Sequence, residues 1–403
     1  MKQFACAVLV SFIVANCGSP SSTTYDYQHV DTLSVEFANR EFKNDYQLDS
    51  IAFILLDTEG EIVPEVSKII FSESAFFVLS KPNSTVYIFD LAGKLTAKIN
   101  NQGQGPTQYV AIDDFGIRET EGIVEVLDLR GQKISQYTTE SGQFLKEIPF
   151  DFFTYTFAPL PDGGRIFHNS VIPNGSYSED KHLNSGIFLT DSLNNVISTH
   201  IPLDSAGLTN TRLVTFQNIF RSFERGLLYV PLYSNLIFEV GGVKGVFEPR
   251  YRVDFGDKNM PSDFLVNYKG DWRDFPDYLY QHDFAYDLRD VFETPDFVVG
   301  RFTSQFKPYR FVYARGTRQA TAYPMPLQVN PGFNIEPIAV SGEHFVTAIP
   351  YEKLNKLMSI YRSYLNTYEL ANIRAYHELQ VLEQASVAQN PILLLTSFTN
   401  KTQ

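Results

Sequence analysis

Residues 71–109 read FSESAFFVLSKPNSTVYIFDLAGKLTAKINNQGQGPTQY, and this stretch decides the fold. Short apolar runs alternate with turn sequences, which predicts four antiparallel strands followed by a glycine-proline corner. Apolar residues fall on both faces of the predicted sheet, at Phe76, Val78, Val86, Ile88, Leu95 and Ile99. A sheet with two apolar faces must pack between other sheets. We therefore expect the unit to recur along the chain.

Similar units follow at a spacing of about 40 to 50 residues, which is the period of propeller blades. They span residues 112–148, 155–203, 213–255, 284–327 and 335–398. Two further strand candidates, 32–37 and 51–56, precede the first unit, and an N-terminal strand can complete the last blade so that no edge stays open. We predict an all-β chain that forms a six-bladed β-propeller, with an N-terminal strand closing the last blade.

One stretch has helical periodicity instead. Apolar residues within 352–388 recur at spacings of three and four, and Asn390-Pro391 ends the pattern. We expect a helical insertion near the C-terminus, and a stripe of this kind indicates contact with the core rather than a cofactor site.

The N-terminus has the features of a targeting segment. An apolar run at 4–15 follows Lys2 and is too short to span a membrane. The sequence Val14-Ala15-Asn16-Cys17 resembles a bacterial lipobox, whose cysteine becomes the lipidated first residue of the mature chain. Asn16 is larger than the usual residue, so a secretory signal with another cleavage point, or a buried cysteine in a short helix, stays open.

These features divide the chain into three parts. We expect a signal peptide at 1–16, a lipidated tether at 17–30 and a single propeller domain at 31–403, with the helical insertion at about 352–388. The tether is small and polar, which suits a flexible connection. The resemblance to bacterial lipoproteins implies the outer membrane facing the periplasm, because in such proteins an acidic run after the cysteine favours the outer surface of the cell and none follows Cys17.

Composition excludes several classes of function. The only cysteines are Cys6 and Cys17, so the mature chain would have no disulfide and no free thiol for catalysis or zinc. The net charge of −13 argues against a nucleic-acid partner. We expect no cofactor.

The chain resembles the six-bladed β-propeller lipoproteins of Bacteroidetes, which are similar in style to NHL-type propellers. The matching segments are 86–94 (VYIFDLAGK), 103–109 (GQGPTQY), 235–240 (NLIFEV), 251–256 (YRVDFG) and 390–395 (NPILLL). The resemblance implies a fold and an envelope location but no reaction. Thr107 and Gln108 depart from the family, which more often has Gly and Glu there, so any ligand role of that Glu is absent.

The corner itself is interpreted as structural. Gly103 and Gly105 lack the third glycine and the helix of a dinucleotide fingerprint. We expect both glycines at positive φ and Pro106 stiffening the passage to the next blade. Gln104 and Tyr109 flank them and are candidates for the ligand-binding face.

No catalytic residue and no metal ligand can be assigned from the sequence. Hydrolase, zinc-protease and P-loop motifs are absent from it. Asp113 and Asp114 are neighbours on a strand and therefore point to opposite faces. The histidines are scattered, and His168, His282 and His344 near strand ends are expected to be exposed or hydrogen-bonded.

Loop topology predicts where a ligand would bind. In a propeller, the loop between the second and third strands lies on the same face as the connection between blades. The segments 102–109, 170–185, 256–282 and the helical insertion would share that face. The third of them holds the candidate residues Trp272, Arg273, Tyr278 and Tyr280. Such aromatics suit recognition of a carbohydrate, peptide or protein, although they could instead anchor the loop.

Two functions follow. The first is a cell-envelope lipoprotein, held on the membrane by its N-terminal lipid, that binds or scaffolds a peptide, glycan or partner protein without catalysis. The alternative is a metal-dependent propeller hydrolase or lyase acting on a small ester or saccharide. The alternative requires several Asp, Glu, Asn or His side chains to converge at the central channel.

Overall fold

The computed structural model describes residues 30–169, 185–202, 221–223, 226–231, 233–241, 246–261, 268, 270, 274–329, 333–368 and 373–401. Cys17, Trp272 and Arg273 lie outside these residues, as does most of the predicted insertion at 170–185. The described chain is mostly β, as the sequence predicts.

The first three sheets follow one another along the chain, and each has four antiparallel strands in sequence order. Sheet 1 contains β3 (Lys68–Phe71), β4 (Ala75–Ser80), β5 (Thr85–Asp90) and β6 (Leu95–Ile99). Sheet 2 contains β7 (Asp114–Arg118), β8 (Ile123–Asp128), β9 (Lys133–Thr138) and β10 (Phe144–Pro149). Sheet 3 contains β11 (Thr156–Pro159), β12 (Arg165–His168), β13 (Ser185–Thr190) and β14 (Val196–Pro202). Their bounds agree with the predicted repeats within a few residues.

A nine-stranded sheet follows, made of two four-stranded halves joined by β1 (Asp31–Phe37). Sheet 4 is the half with β15 (Arg221–Phe223), β16 (Gly226–Tyr229), β17 (Leu236–Gly241) and β18 (Val246–Asp254). Sheet 5 is the half with β19 (Ala285–Glu293), β20 (Phe297–Ser304), β21 (Lys307–Ala314) and β22 (Gln319–Pro324). β1 runs parallel to both outer strands, pairing through residues 31–34 with β18 and through residues 35–37 with β22.

The last sheet combines both ends of the chain. Sheet 6 contains β25 (Ala339–Ser341), β26 (His344–Ile349), β27 (Ile392–Asn400) and the N-terminal strand β2 (Tyr46–Leu55). β2 pairs antiparallel with β27 along its whole length, from Tyr46 opposite Asn400 to Leu55 opposite Ile392. The prediction that an N-terminal strand completes the C-terminal sheet is confirmed by this pairing.

Short elements connect the sheets. A two-stranded hairpin, β23 (Leu327–Val329) and β24 (Phe333–Ile335), stands between sheets 5 and 6. The helices are α1 (Phe42–Asp45), α2 (Phe275–Gln281), α3 (Leu354–Tyr368) and α4 (Ile373–Ala388). α3 and α4 form the predicted insertion, and Leu354, Leu357, Tyr361 and Leu382 are buried in the core beside sheet 6. The periodic stripe is therefore core contact.

Sheet 1 is buried on both faces, which is what its sequence requires. Phe77 and Ile88 pack against Phe115 of sheet 2. Phe76 and Val78, on the opposite face, pack with Val346 and Leu393 of sheet 6. Each fully buried aliphatic or aromatic side chain stabilises the fold by about 1.5–3 kcal/mol, so two-sided stacking holds the sheets together.

A charged cluster ties sheet 2 to sheet 3. The Glu125 carboxylate is fully buried and accepts hydrogen bonds from Arg118 Nε (2.8 Å) and Arg165 Nε (2.9 Å). Arg118 also donates to the carbonyl oxygens of Leu160 (2.6 Å) and Gly164 (2.7 Å). Burial opposes ionisation of Glu125, but the two arginines outweigh it, so the pKa of this carboxyl is lowered.

Candidate functional site

The corner at residues 101–109 is held by hydrogen bonds between its own residues. The Gly105 amide donates to Gln108 Oε1 (2.7 Å), and the Gly103 amide donates to the Tyr109 carbonyl (2.9 Å). A Cβ on Gly103 would lie 2.1 Å from Gln108 Oε1. Neither glycine has a positive φ, so that expectation is wrong. The glycines instead make room for the Gln108 side chain, while Pro106 is exposed.

Tyr109 belongs to the core, not to a binding surface. Its side chain is fully buried, and its hydroxyl donates to the carbonyl oxygens of Ser84 (2.7 Å) and Ile99 (3.2 Å). A ring with both its apolar body and its hydroxyl engaged inside the protein cannot contact a ligand. The structure therefore corrects the interpretation of Tyr109, whereas Gln104 is exposed and stays a candidate.

The connection between sheets 4 and 5 is anchored by α2. Phe275 and Leu279 are buried, and Phe275 packs edge-on against Tyr233 (5.3 Å between ring centroids) and Tyr268 (5.1 Å). The alternative that aromatics anchor this loop is thus correct for Phe275. The helix is oriented by these contacts so that another of its aromatic residues faces solvent.

That residue is Tyr280, which stacks on Phe306. The two rings are nearly parallel, 8° apart with centroids separated by 5.0 Å, and each side chain is 51% exposed. Phe306 comes from the β20–β21 turn, 26 positions further along the chain. Large apolar side chains are usually buried, so an exposed stacked pair is a feature that requires an explanation.

The turn that presents Phe306 is conformationally strained. Gln305 (φ 50°) and Phe306 (φ 58°) form a two-residue hairpin turn with both residues in the left-handed region. Asn and Gly are the residues that favour this conformation, and a bulky residue in it costs roughly 1 kcal/mol or more. A glycine would form the turn more easily, so the Phe306 ring is not required by the turn.

A second group of rings lies at the C-terminal end of the same helix, α2. His282, which is exposed, stacks on Tyr278 with centroids 4.0 Å apart and on Phe284 with centroids 5.5 Å apart. His282 Nδ1 donates to the Tyr278 carbonyl (2.9 Å), which leaves Nε2 as the acceptor of the neutral ring. We call Tyr278, Tyr280, His282 and Phe306 the aromatic surface.

Charged groups border the aromatic surface. Lys258 and Asp283 form an ion pair, and Ser304 Oγ donates to Asp283 Oδ1 (3.4 Å). The Lys258 ammonium also lies 5.3 Å from the centre of the Phe37 ring, at the end of β1. Aromatic rings thus stand next to hydrogen-bonding groups on one end of sheet 5.

The two neighbouring aspartates have separate structural roles. Asp114, on the first strand of sheet 2, accepts from Lys68 Nζ (2.7 Å) and from the Thr156 hydroxyl, which come from the first strands of sheets 1 and 3. Asp113 accepts from the Leu129 amide (2.8 Å). The prediction that they point apart is confirmed, and Asp114 joins three sheets through buried contacts.

The predicted histidines are hydrogen-bonded or exposed, as expected. His344 Nε2 lies 2.8 Å from Ser50 Oγ, whereas His168 is buried beside Tyr229, and burial lowers its pKa to about 3. Within the described ranges, no three His, Cys, Asp or Glu side chains form a group that could hold a metal ion. Nor does any helix in the described part of the chain have the length and apolarity to cross a membrane.

Sequence reasoning identified Tyr278 and Tyr280 but missed Phe306. The missing information is the register of β20 and β21, which places Ser304 opposite Lys307 and leaves Gln305 and Phe306 as the turn. One signal was present in the sequence: Gln-Phe stands where a two-residue hairpin normally has Asn-Gly.

Comparison with known proteins identifies a family. Residues 31–397 match the model of the family described as "Domain of unknown function (DUF4934)", and the chain belongs to this family. No curated protein matches the sequence.

Two solved structures are similar in fold. A putative exported protein from Bacteroides fragilis has a TM-score of 0.68 at 19% identity, with 92% of this chain and 99% of that chain covered. A member of the DUF4221 family from Bacteroides vulgatus has a TM-score of 0.51 at 11% identity, with 89% and 99% covered. At these identities the likeness concerns the fold alone.

Proposed function

We propose that this member of the DUF4934 family is an exported cell-envelope protein, anchored by a lipid on Cys17, that binds a glycan without catalysis. Its fold in this proposal is a six-bladed β-propeller, and its binding site is the aromatic surface. The observation that carries the proposal is the exposed Tyr280–Phe306 stack, in which Phe306 lies on a strained turn.

The blade count is supported by how the sheets pack. Hydrophobic clusters join sheet 1 to sheet 2, sheet 2 to sheet 3, sheet 3 to sheet 4, sheet 4 to sheet 5 and sheet 5 to sheet 6. A further cluster joins sheet 6 back to sheet 1. Six four-stranded sheets, each packed between its two neighbours, are what a closed six-bladed ring requires.

The chemistry of the aromatic surface favours a saccharide. The C–H face of a pyranose packs on an aromatic ring, and Tyr280 and Phe306 offer a rigid apolar area with few rotatable bonds. His282 and Asp283 follow Tyr280 by two and three positions in the chain and can hydrogen-bond sugar hydroxyls. A peptide or a partner protein, the other ligands that the sequence suggests, would bury a wider interface.

Affinity electrophoresis tests the binding site. Native gels containing mannan, xylan, laminarin or peptidoglycan fragments should retard the protein in at least one case, and the Tyr280→Ala/Phe306→Ala variant should migrate as in a gel without polysaccharide. Tyr351→Ala is the matched control, since Tyr351 is exposed and lies outside the aromatic surface. Equal retardation of the wild type and the double variant would place the binding elsewhere.

Cell fractionation tests the anchor separately. Cys17→Ala should move the protein from the membrane fraction to the soluble fraction of the envelope or to the medium, because the lipid attaches at that sulfur. A Cys6→Ala variant, which alters the segment expected to be removed, should stay in the membrane fraction. Membrane retention of Cys17→Ala would contradict the lipid anchor and leave the glycan proposal untouched.

A further inference from the structure

A second candidate site lies between sheets 1 and 2, at the β3–β4 loop. A cavity of about 350 Å³ is lined at its rim by Ser72 and Ser74 from that loop, and by Glu119 and Glu140 from sheet 2. This volume is at the small end of the range for ligand pockets, roughly 300–1,000 Å³. The cavity shares no residue with the aromatic surface.

The floor of the cavity is apolar. It is formed by Phe77 and Ile88 of sheet 1 and by Ile117 of sheet 2. Phe77 and Ile88 also belong to the core between these sheets, so the floor is rigid. An aliphatic chain lying on it would remove apolar surface from water.

The ionisable groups that line the cavity are all carboxylates, namely Asp90, Glu119 and Glu140. Asp90 is engaged in its own turn, where Oδ1 accepts from the Ala92 amide (3.0 Å) and the Lys94 amide (2.9 Å). Glu119 Oε1 accepts from the Glu73 amide (2.8 Å), and the Glu140 side chain is exposed.

The cations near the cavity are used in other contacts. Lys94 pairs with Glu59 (3.9 Å), Lys98 pairs with Glu61 (2.7 Å), and Arg118 points into the buried cluster with Glu125. The rim of the cavity therefore keeps an excess of negative charge above an apolar floor. The complementary group is a cation on an aliphatic stem.

We infer that this cavity binds a lysine or arginine side chain presented by a partner polypeptide. The methylene groups of such a side chain pack on the apolar floor while its charged head stays at the rim. Glu119 and Glu140 accept hydrogen bonds from the cationic head, and the Ser74 hydroxyl offers a further acceptor, whereas the Ser72 hydroxyl is engaged with the Ala75 backbone. This inference does not depend on the glycan proposal.

Fluorescence anisotropy tests it with a labelled heptapeptide of alternating glycine and lysine. The wild-type protein should bind this peptide, more weakly as salt rises, and should not bind the glycine–glutamate peptide of equal length. Glu119→Gln/Glu140→Gln should bind about tenfold more weakly, because two exposed ion pairs are lost. The glutamine oxygen can still accept from the Glu73 amide, so the loop keeps its hydrogen bond.

Glu121→Gln is the matched control, since it removes one charge from the same turn but lies outside the cavity. Its affinity should stay close to that of the wild type. Failure of the lysine peptide to bind, or equal losses in Glu121→Gln and the double variant, would overturn the inference. Binding of spermidine or of phosphatidylethanolamine vesicles without binding of the peptide would overturn the polypeptide partner in favour of a free or lipid-borne amine.

Discussion

Two regions of the molecule invert the usual distribution of side chains in opposite ways. Between sheets 2 and 3, the charged groups of Arg118, Glu125 and Arg165 are buried. At the end of sheet 5, the rings of Tyr280 and Phe306 are exposed. Charged residues are normally outside and aromatic residues inside, so each region departs from the norm.

The two regions differ in whether their side chains find all their partners inside the protein. The Glu125 carboxylate has two guanidinium partners and a Gln136 amide (2.6 Å), and the arginines also reach main-chain carbonyls. The Tyr280–Phe306 pair keeps about half of each residue in solvent, and Phe306 lies on a strained turn. The charged groups of the Glu125 cluster find their partners inside the fold, whereas the exposed stack, with Phe306 on a strained turn, is the observation behind the proposed binding site.

The buried cluster should give the largest effect. Glu125→Gln removes the carboxylate shared by two buried guanidinium groups, leaves Arg118 only the half-exposed Glu121 carboxylate (3.8 Å), and should lower the free energy of unfolding by about 3 kcal/mol. Urea denaturation measures this loss. Glu147→Gln, which breaks the surface pair Lys133–Glu147, is the matched control and should cost less than about 1 kcal/mol. Similar losses of unfolding free energy in the two variants would show that burial of Glu125 adds nothing to the cost of breaking its ion pairs.

The next largest effect should be a loss of folding stability in acid, caused by the buried His168 of sheet 3. Burial lowers the pKa of His168 from 6.5 to about 3, so between these values the unfolded chain binds a proton that the folded protein does not. Stability therefore falls as pH decreases, by about 2 kcal/mol between pH 6.5 and 5. Urea titrations at several pH values should show a smaller slope in His168→Gln than in the wild type. An unchanged slope in His168→Gln would contradict a neutral buried histidine.

Substitutions in the exposed Gln305–Phe306 turn should change the free energy of unfolding least, and Phe306 substitutions should reduce binding most. Phe306→Gly relieves the positive φ but loses the ring stack, so the free energy of unfolding should change by less than about 1 kcal/mol. Retention in the polysaccharide gel should nevertheless disappear. Gln305→Gly relieves the same turn while keeping the ring, and should retain binding. A loss of several kcal/mol in Phe306→Gly would make the ring a structural residue.

Much of the fold follows from local sequence patterns. The repeat spacing, the two apolar faces of β4 and β5 and the 3.6-residue periodicity of α3 and α4 are properties of short windows, and all of them reappear in the structure. The N-terminal strand was predictable too, because a sheet edge at the C-terminus requires a partner.

The candidate site depends on contacts that no short window contains. Tyr109 was a candidate for the ligand-binding face because it flanks the corner, yet its hydroxyl donates to the Ser84 carbonyl, 25 residues away. The expected positive φ of Gly103 and Gly105 was wrong, and the space at both glycines is instead occupied by the Gln108 side chain. Whether such a residue is buried depends on strand register and on side-chain contacts between residues that are distant in sequence.

The direction of β1 has a consequence for how the molecule would stand on a membrane. Its last residue, Phe37, lies beside Phe302 and Tyr309 at the end of sheet 5 that carries the Gln305–Phe306 turn. Its first residue, Asp31, therefore lies at the opposite end, 14 positions after Cys17. A chain of that length reaches at most about 50 Å. A lipid on Cys17 would therefore attach the protein to the bilayer at the end of sheet 5 opposite the stacked rings, and the tether would leave those rings free to meet large extracytoplasmic polymers.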